Sequence, residues 1–239
     1  MKQKLLPMLL LAMISIILGC RDCVTGAGEV QNEDRLLQTF TAIELNCGAD
    51  IIIRHKSADE KNNVIVQAQP NLLPLITTKI SGNALEIDIE GCTKTTKPIV
   101  IFVNIDKLDK IINDGSGNIR CDEELVSEAF EIVNNGSGNV TVQLRTNDLE
   151  VHLNGSGVIQ VSGNANKVDI DHNGSGSIEA LSLEANEGEV NLNGSGTVTV
   201  FATKEMNLEL NGSGSIYYGG KPEKLNTKKN GSGEIHEAQ

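Results

Sequence analysis

The chain has 239 residues with 24 glycines, no tryptophan and only 3% aromatic side chains, a composition that suits thin aliphatic layers in one elongated domain. Its formal charge of −12 becomes −14 if Lys2 and Lys4 leave with an N-terminal leader. That excess of acid excludes the clustered Lys and Arg that nucleic acid requires, and leaves neutral or cationic partners.

Met1 to Lys4 supplies positive charge, Leu5 to Leu18 is almost wholly apolar, and Gly19-Cys20 follows. Such a run is short of the about twenty residues a membrane span needs, but it suits the core of a signal peptide. The segment Ile17-Leu18-Gly19-Cys20 resembles a bacterial lipobox, in which cleavage precedes a cysteine that then carries lipid. An ordinary signal peptide followed by a chance cysteine is the alternative. We therefore expect residues 1–19 to be a lipoprotein signal peptide and Cys20 the lipidated residue, with 20–35 as a tether. Membrane contact would come through the lipid, each buried CH₂ contributing about 0.8 kcal/mol. Four further cysteines remain: Cys23, Cys47, Cys92 and Cys121. In an exported chain they admit disulfides, but three pairings are equally open. No two of these four stand at Cys-x-x-Cys spacing from one another, so no metal site is predicted.

Residues 36–107 predict strands at Thr39–Asn46, Asp50–His55, Asn63–Gln69, Ala84–Ile89 and Ile99–Ile105, with a short helical turn at Asn71–Ile76 broken by Pro74. These read as irregular first coils of the domain 36–239. Residues 108–239 then carry Gly-Ser-Gly seven times, with glycine pairs at Gly115 and Gly117, Gly136 and Gly138, Gly155 and Gly157, Gly174 and Gly176, Gly194 and Gly196, Gly212 and Gly214, and Gly231 and Gly233. The steps are 21, 19, 19, 20, 18 and 19 residues. Ahead of each stands Asp114, Asn135, Asn154, Asn173, Asn193, Asn211 or Asn230.

A fixed period near twenty is the mark of a solenoid, whose neighbouring coils bury one another. Alternation flanks every corner, as in Leu149, Val151 and Leu153 before one and Ile159 and Val161 after it, so each coil is strand, corner, strand and a looser return. Asn-Gly is also a hairpin signal, but an antiparallel meander has no need of so regular a spacing. The predicted fold is all-β: a single-chain right-handed parallel β-helix with ~19-residue coils. Its glycines allow positive φ or close backbone approach, and its Asn and Asp side chains can form a hydrogen-bonded ladder. Polar inward slots at Thr227 and Lys229 suit a capping coil.

Catalytic residues are not predicted. Coil lengths vary by too little to admit a groove-building loop, and the acids Glu150, Asp169, Asp171 and Glu189 read as a solvated face. His55, His152, His172 and His236 show no Ser or Cys partner. No cofactor is called for. Scarce aromatic residues weaken any sugar-stacking site. The reading is a non-catalytic envelope lipoprotein that offers its long regular face as an interaction module, with the ligand, protein or glycan, left open. The alternative is a structural or stress-sensing envelope protein, and a polysaccharide-cleaving β-helix enzyme ranks behind both.

The stretch Thr25–Glu29, Phe40-Thr-Ala-Ile-Glu-Leu45, Asp50-Ile-Ile-Ile53, Asn71-Leu-Leu-Pro-Leu75 and the serial Gly-Ser-Gly corners together resemble the head GIN domain family over about residues 30–235. The resemblance implies a right-handed parallel β-helix exported to a bacterial envelope, outer membrane included, of the kind carried by Bacteroidota lipoproteins with an adhesin label. It implies no catalytic residue and no defined ligand.

Overall fold

The structure, a computed structural model, describes residues 22–56 and 63–238. Its first strands are β1 (Val24–Thr25), β2 (Gln31–Leu36), β3 (Ala42–Leu45), β4 (Asp50–His55), β5 (Asn63–Ala68), β6 (Ile76–Ser81), β7 (Ala84–Ile89), β8 (Thr93–Lys94) and β9 (Val100–Ile105). The repeats supply β10 (Lys110–Asn113), β11 (Ile119–Val126), β12 (Ala129–Asn134), β13 (Val140–Leu153), β14 (Val158–His172), β15 (Ser177–Leu192) and β16 (Thr197–Leu210). The chain closes with β17 (Ser215–Gly219), β18 (Lys224–Lys229) and β19 (Glu234–Glu237). The one helical turn among the described residues is a 3-10 turn at Leu73–Leu75, with Pro74 inside it.

Alternation decides which side of each strand is buried. In β13, Val140, Val142 and Leu144 are buried while Thr141, Gln143 and Arg145 are exposed. β13 lies parallel on β14 with Val140 opposite Ile159 and Leu153 opposite His172, and β14 lies parallel on β15 in the same manner. The result is a β-solenoid of about seven turns with ~19-residue spacing. Ile119, Val140, Ile159, Ile178, Val198 and Ile216 are each at most 1% exposed and form one aliphatic column of the continuous core. Coil lengths from 18 to 21 residues still leave the corners aligned, because the register shifts fall well after them, as between Gln160 and Ser162. The predicted loose return is itself strand-paired in β13 to β16, and it is where these irregularities gather.

The N-terminal part departs from coils stacked in chain order. β3 lies between β7 and β10, and β4 lies between β9 and β11, all parallel. The coil that follows in sequence is therefore stacked outside the one that precedes it. Between them the chain reverses: β5 pairs antiparallel with β9, β2 with β5, and β6 with β7. These strands cover the end of the solenoid, which would otherwise present an open edge.

Residues 22–35, expected as a tether, are built into this cap. β1 pairs with β8, Cys23 is disulfide-bonded to Cys92, and the Arg35 guanidinium donates to the carbonyls of Leu73 (3.1 Å) and Ile76 (2.7 Å). Backbone pairing and a covalent tie outweigh the polar composition that reads as a linker. Cys47 and Cys121 are free thiols, both with pKa pushed up by burial. At the other end β18 is exposed along its whole length, and Lys224 and Lys228 reach down to Glu205 (2.7 Å) and Glu209 (2.8 Å). Lysines on an edge strand discourage further pairing.

Candidate functional site

Three surfaces carry polar side chains in register. The first is the corner itself. The glycines there meet a steric demand: a Cβ on Gly115, Gly117, Gly136, Gly138, Gly155, Gly157, Gly174, Gly176, Gly194, Gly196, Gly212, Gly214, Gly231 or Gly233 would land on a backbone carbonyl oxygen of the coil beneath. Of these fourteen only Gly231 has positive φ, and at 158° it is close to extended backbone. Close approach, not left-handed backbone, is what the corners require. The column continues below the first repeat, where Cys47 and Ala49 offer the carbonyls that Gly115 and Gly117 face. The segment Asn46-Cys47-Gly48-Ala49 is thus a corner without the tetrapeptide.

Outside the glycines runs an amide ladder. Asn135 donates to Asp114 (2.6 Å), Asn154 to Asn135 (2.8 Å), Asn173 to Asn154 (3.1 Å), Asn193 to Asn173 (3.0 Å), Asn211 to Asn193 (2.9 Å) and Asn230 to Asn211 (2.9 Å). Every bond points the same way, and the series ends on a carboxylate. One position earlier in the chain, buried polar side chains clamp their own corner. Asn113 and Asn134 each donate to the second glycine's carbonyl and accept from the first glycine's N–H. His172 does the same: Nδ1 accepts from Gly174 N–H (3.1 Å), so Nε2 carries the proton and donates to Gly176 O (2.9 Å). Lys229 Nζ bonds Gly233 O at 3.1 Å in the last coil. The clamp was not foreseen from the sequence; its signal is a polar residue, Asn113, Asn134, His172 or Lys229, where other coils have Leu153, Leu192 or Leu210. Beside the ladder, a shallow recess of about 510 Å³ is lined by Asp114, Ser116, Asn135, Ser137 and Ser156 among others.

The second surface is the acidic face, where Glu131, Glu150, Asp169 and Glu189 stack in one outward column. Burial raises the Asp169 pKa, and the nearby Glu189, Asp171 and Glu150 carboxylates add to this while Lys167 opposes it. Lys167 lies 3.8 Å from Asp169 and 3.7 Å from Glu189, and His152 sits 3.5 Å from Asp171. Every member belongs to a flat sheet. Among the described residues, no group of three or more His, Cys, Asp or Glu could hold a metal ion.

The third surface follows the corner. Thr141, Gln160, Glu179, Thr199, Tyr217 and His236 share an outward column across six coils. Thr141 donates to Gln160 (3.2 Å) and Gln160 to Glu179 (2.8 Å), and Tyr217 stacks on His236 with ring centroids 5.7 Å apart. A groove of about 590 Å³ runs along this face. Cys20 lies outside the described residues. No described helix is long and apolar enough to cross a membrane.

Residues 39–222 match the family model described as "Putative auto-transporter adhesin, head GIN domain", and the chain belongs to that family. The fold is shared with the crystal structure of a "putative adhesin" from Bacteroides fragilis NCTC 9343, at 26% identity and TM-score 0.84, covering 90% of this chain and 100% of that one. A "putative lipid binding protein" from Parabacteroides distasonis ATCC 8503 has 24% identity and TM-score 0.75, covering 91% and 100%. A "putative adhesin" from Parabacteroides merdae ATCC 43184 has 21% identity and TM-score 0.72, covering 92% and 100%. No protein of curated function matches the chain.

Proposed function

We propose that the chain is a non-catalytic, adhesin-like binding module of the bacterial envelope, anchored through lipid on Cys20 and presenting the solenoid faces to a ligand. The observation that carries this reading is that the exposed side chains flanking the corner on either side keep one register from coil to coil, with no long loop between the corners to build an enclosed site. A flat array of that kind favours an extended ligand touching many coils weakly over a small substrate held by convergent groups. The adhesin description of the family and of the Bacteroides fragilis structure agrees with it.

The anchor rests on the charged start, the short apolar run and the lipobox-like Ile17-Leu18-Gly19-Cys20. Cys20→Ser is expected to block lipidation and move the protein to the soluble fraction or leave an unprocessed precursor. Fractionation with mass spectrometry of the mature N-terminus checks this. Unchanged membrane association without lipid mass on the wild-type N-terminus rejects the anchor. Protease shaving of intact cells then separates a surface module, which loses its solenoid, from a periplasmic one, which keeps it.

A further inference from the structure

The chain has four Phe, two Tyr and no Trp, and their distribution is uneven. Phe40 and Phe130 are buried in the core, and Phe102 lies beneath the Arg54 guanidinium. The other three, Phe201, Tyr217 and Tyr218, fall within eighteen residues of one another on the last full coils. Tyr217 is 38% exposed and its ring stacks on His236 at an interplanar angle of 27°. Alongside, Gly219 leaves Leu181 and Phe201 uncovered: a Cβ there would stand 3.1 Å from Leu181 Cδ1 and 3.2 Å from Phe201 Cδ2. Leu181 is itself 40% exposed and is one wall of the groove of about 590 Å³.

Beyond Leu181, Val142 and Val161, that groove is polar and nearly uncharged. It offers the hydroxyls of Thr141, Ser162, Ser177, Ser182, Thr197 and Thr199 with the Gln160 amide, and its one ionisable lining group is Glu179. Thr197 and Thr199, at the edge of the groove, pair directly with Ser215 and Tyr217, so the aromatic stack adjoins it one coil further on. The geometry points to this face as a binding site for a neutral glycan chain, with one sugar ring on the Tyr217–His236 stack and its neighbours along Thr199, Glu179 and Gln160.

The chemistry selects that occupant. A pyranose presents C–H groups on one face and hydroxyls around its rim, which fits a flat ring beside alternating donors and acceptors. A phosphate or sulfate polymer would meet Glu179 and no cation in the lining. A cationic peptide has a better partner in the column of Glu131, Glu150, Asp169 and Glu189, whose outward side chains lie on the strand segment ahead of the corner. The proposal rests on the binding-module reading and narrows its ligand.

Intrinsic fluorescence reports on the site directly, because Tyr217 and Tyr218 are the only tyrosines and tryptophan is absent. The mature chain is titrated with a panel of neutral hexose and N-acetylhexosamine oligosaccharides, a sulfated oligosaccharide and a Lys-rich peptide. At least one neutral saccharide is expected to change tyrosine emission saturably, both in wild type and in Tyr218→Phe, where Tyr217 alone emits. By calorimetry, Tyr217→Ala is expected to weaken that saccharide about tenfold, and Gln160→Ala to weaken it in the same direction. Circular dichroism checks that these surface variants keep the wild-type fold.

No saturable binding of any neutral saccharide overturns the proposal, as does binding that Tyr217→Ala leaves intact. Attachment of cells displaying the anchored chain is scored in parallel. Attachment that persists without saccharide binding overturns the glycan site alone, whereas absent attachment together with absent binding counts against the module as well.

Discussion

Deleting Val158 through Gly176 is expected to give a shorter protein that still folds. The excision removes 19 residues, one coil, and joins Gly157 to Ser177. Ile178 then lands on Val140 and Asn193 on Asn154, so the aliphatic columns and the amide ladder close over the gap. His172 leaves together with the Gly176 carbonyl it clamps, so no buried polar group is stranded. Stability in such a stack is roughly a sum of nearest-neighbour terms, and one interface is lost. Removing only Val158 through Asn166 takes nine residues and sets corners against strands, turning apolar side chains to water. That variant is expected to aggregate or unfold. Circular dichroism and size-exclusion chromatography compare the two. Equal failure of both would favour specific, non-repeating strand partners over a parallel stack.

Gly157→Ala is the sharpest single test of why the corner is written as it is. The added methyl would sit on the Gly138 carbonyl oxygen and 2.9 Å from the Asn134 amide nitrogen, and neither neighbour is a free side-chain end. Asn134 is held by its bonds to Gly136 and Gly138, so the coil itself has to move. Overpacking of this kind costs about 3 kcal/mol, equivalent to about 10 °C in Tm for a chain of this size. Ser156→Ala, one residue earlier and exposed, is expected to change stability by less than about 0.5 kcal/mol. Ile159→Asp brings an unpaired carboxylate into a position that is fully buried, and is expected to cost about 4 kcal/mol or more. Thermal unfolding of the three variants checks the order, and a Gly157→Ala variant as stable as Ser156→Ala would mean that the coils are not in close contact at the corner.

The solenoid was legible because the same local demands recur in every coil. A carbonyl beneath each corner glycine excludes a side chain at all seven corners, and the inward slot just after the corner refills with Ile or Val from Ile119 to Ile216. The cap was not legible for the converse reason. β5, β6 and β2 make single-use antiparallel pairings, and nothing local in Gln31–Leu36 announces a partner 27 to 37 residues away at Asn63–Ala68. The Cys23–Cys92 bridge spans 69 residues, and its choice over the other pairings depends on β1 lying beside β8. The Tyr217–His236 stack also escaped the sequence. It needs the offset between two coils, and so few rings in the composition argued against any cluster of them.

The claim at the centre of this account is that the solenoid binds an extended ligand without cutting it. Its most direct test is the chain length of polysaccharides recovered after long incubation with stoichiometric purified protein. Sugar retained by the protein is expected to return at its original length. Shortened chains, whose formation is lost on a single Asp, Glu or His substitution, would contradict it.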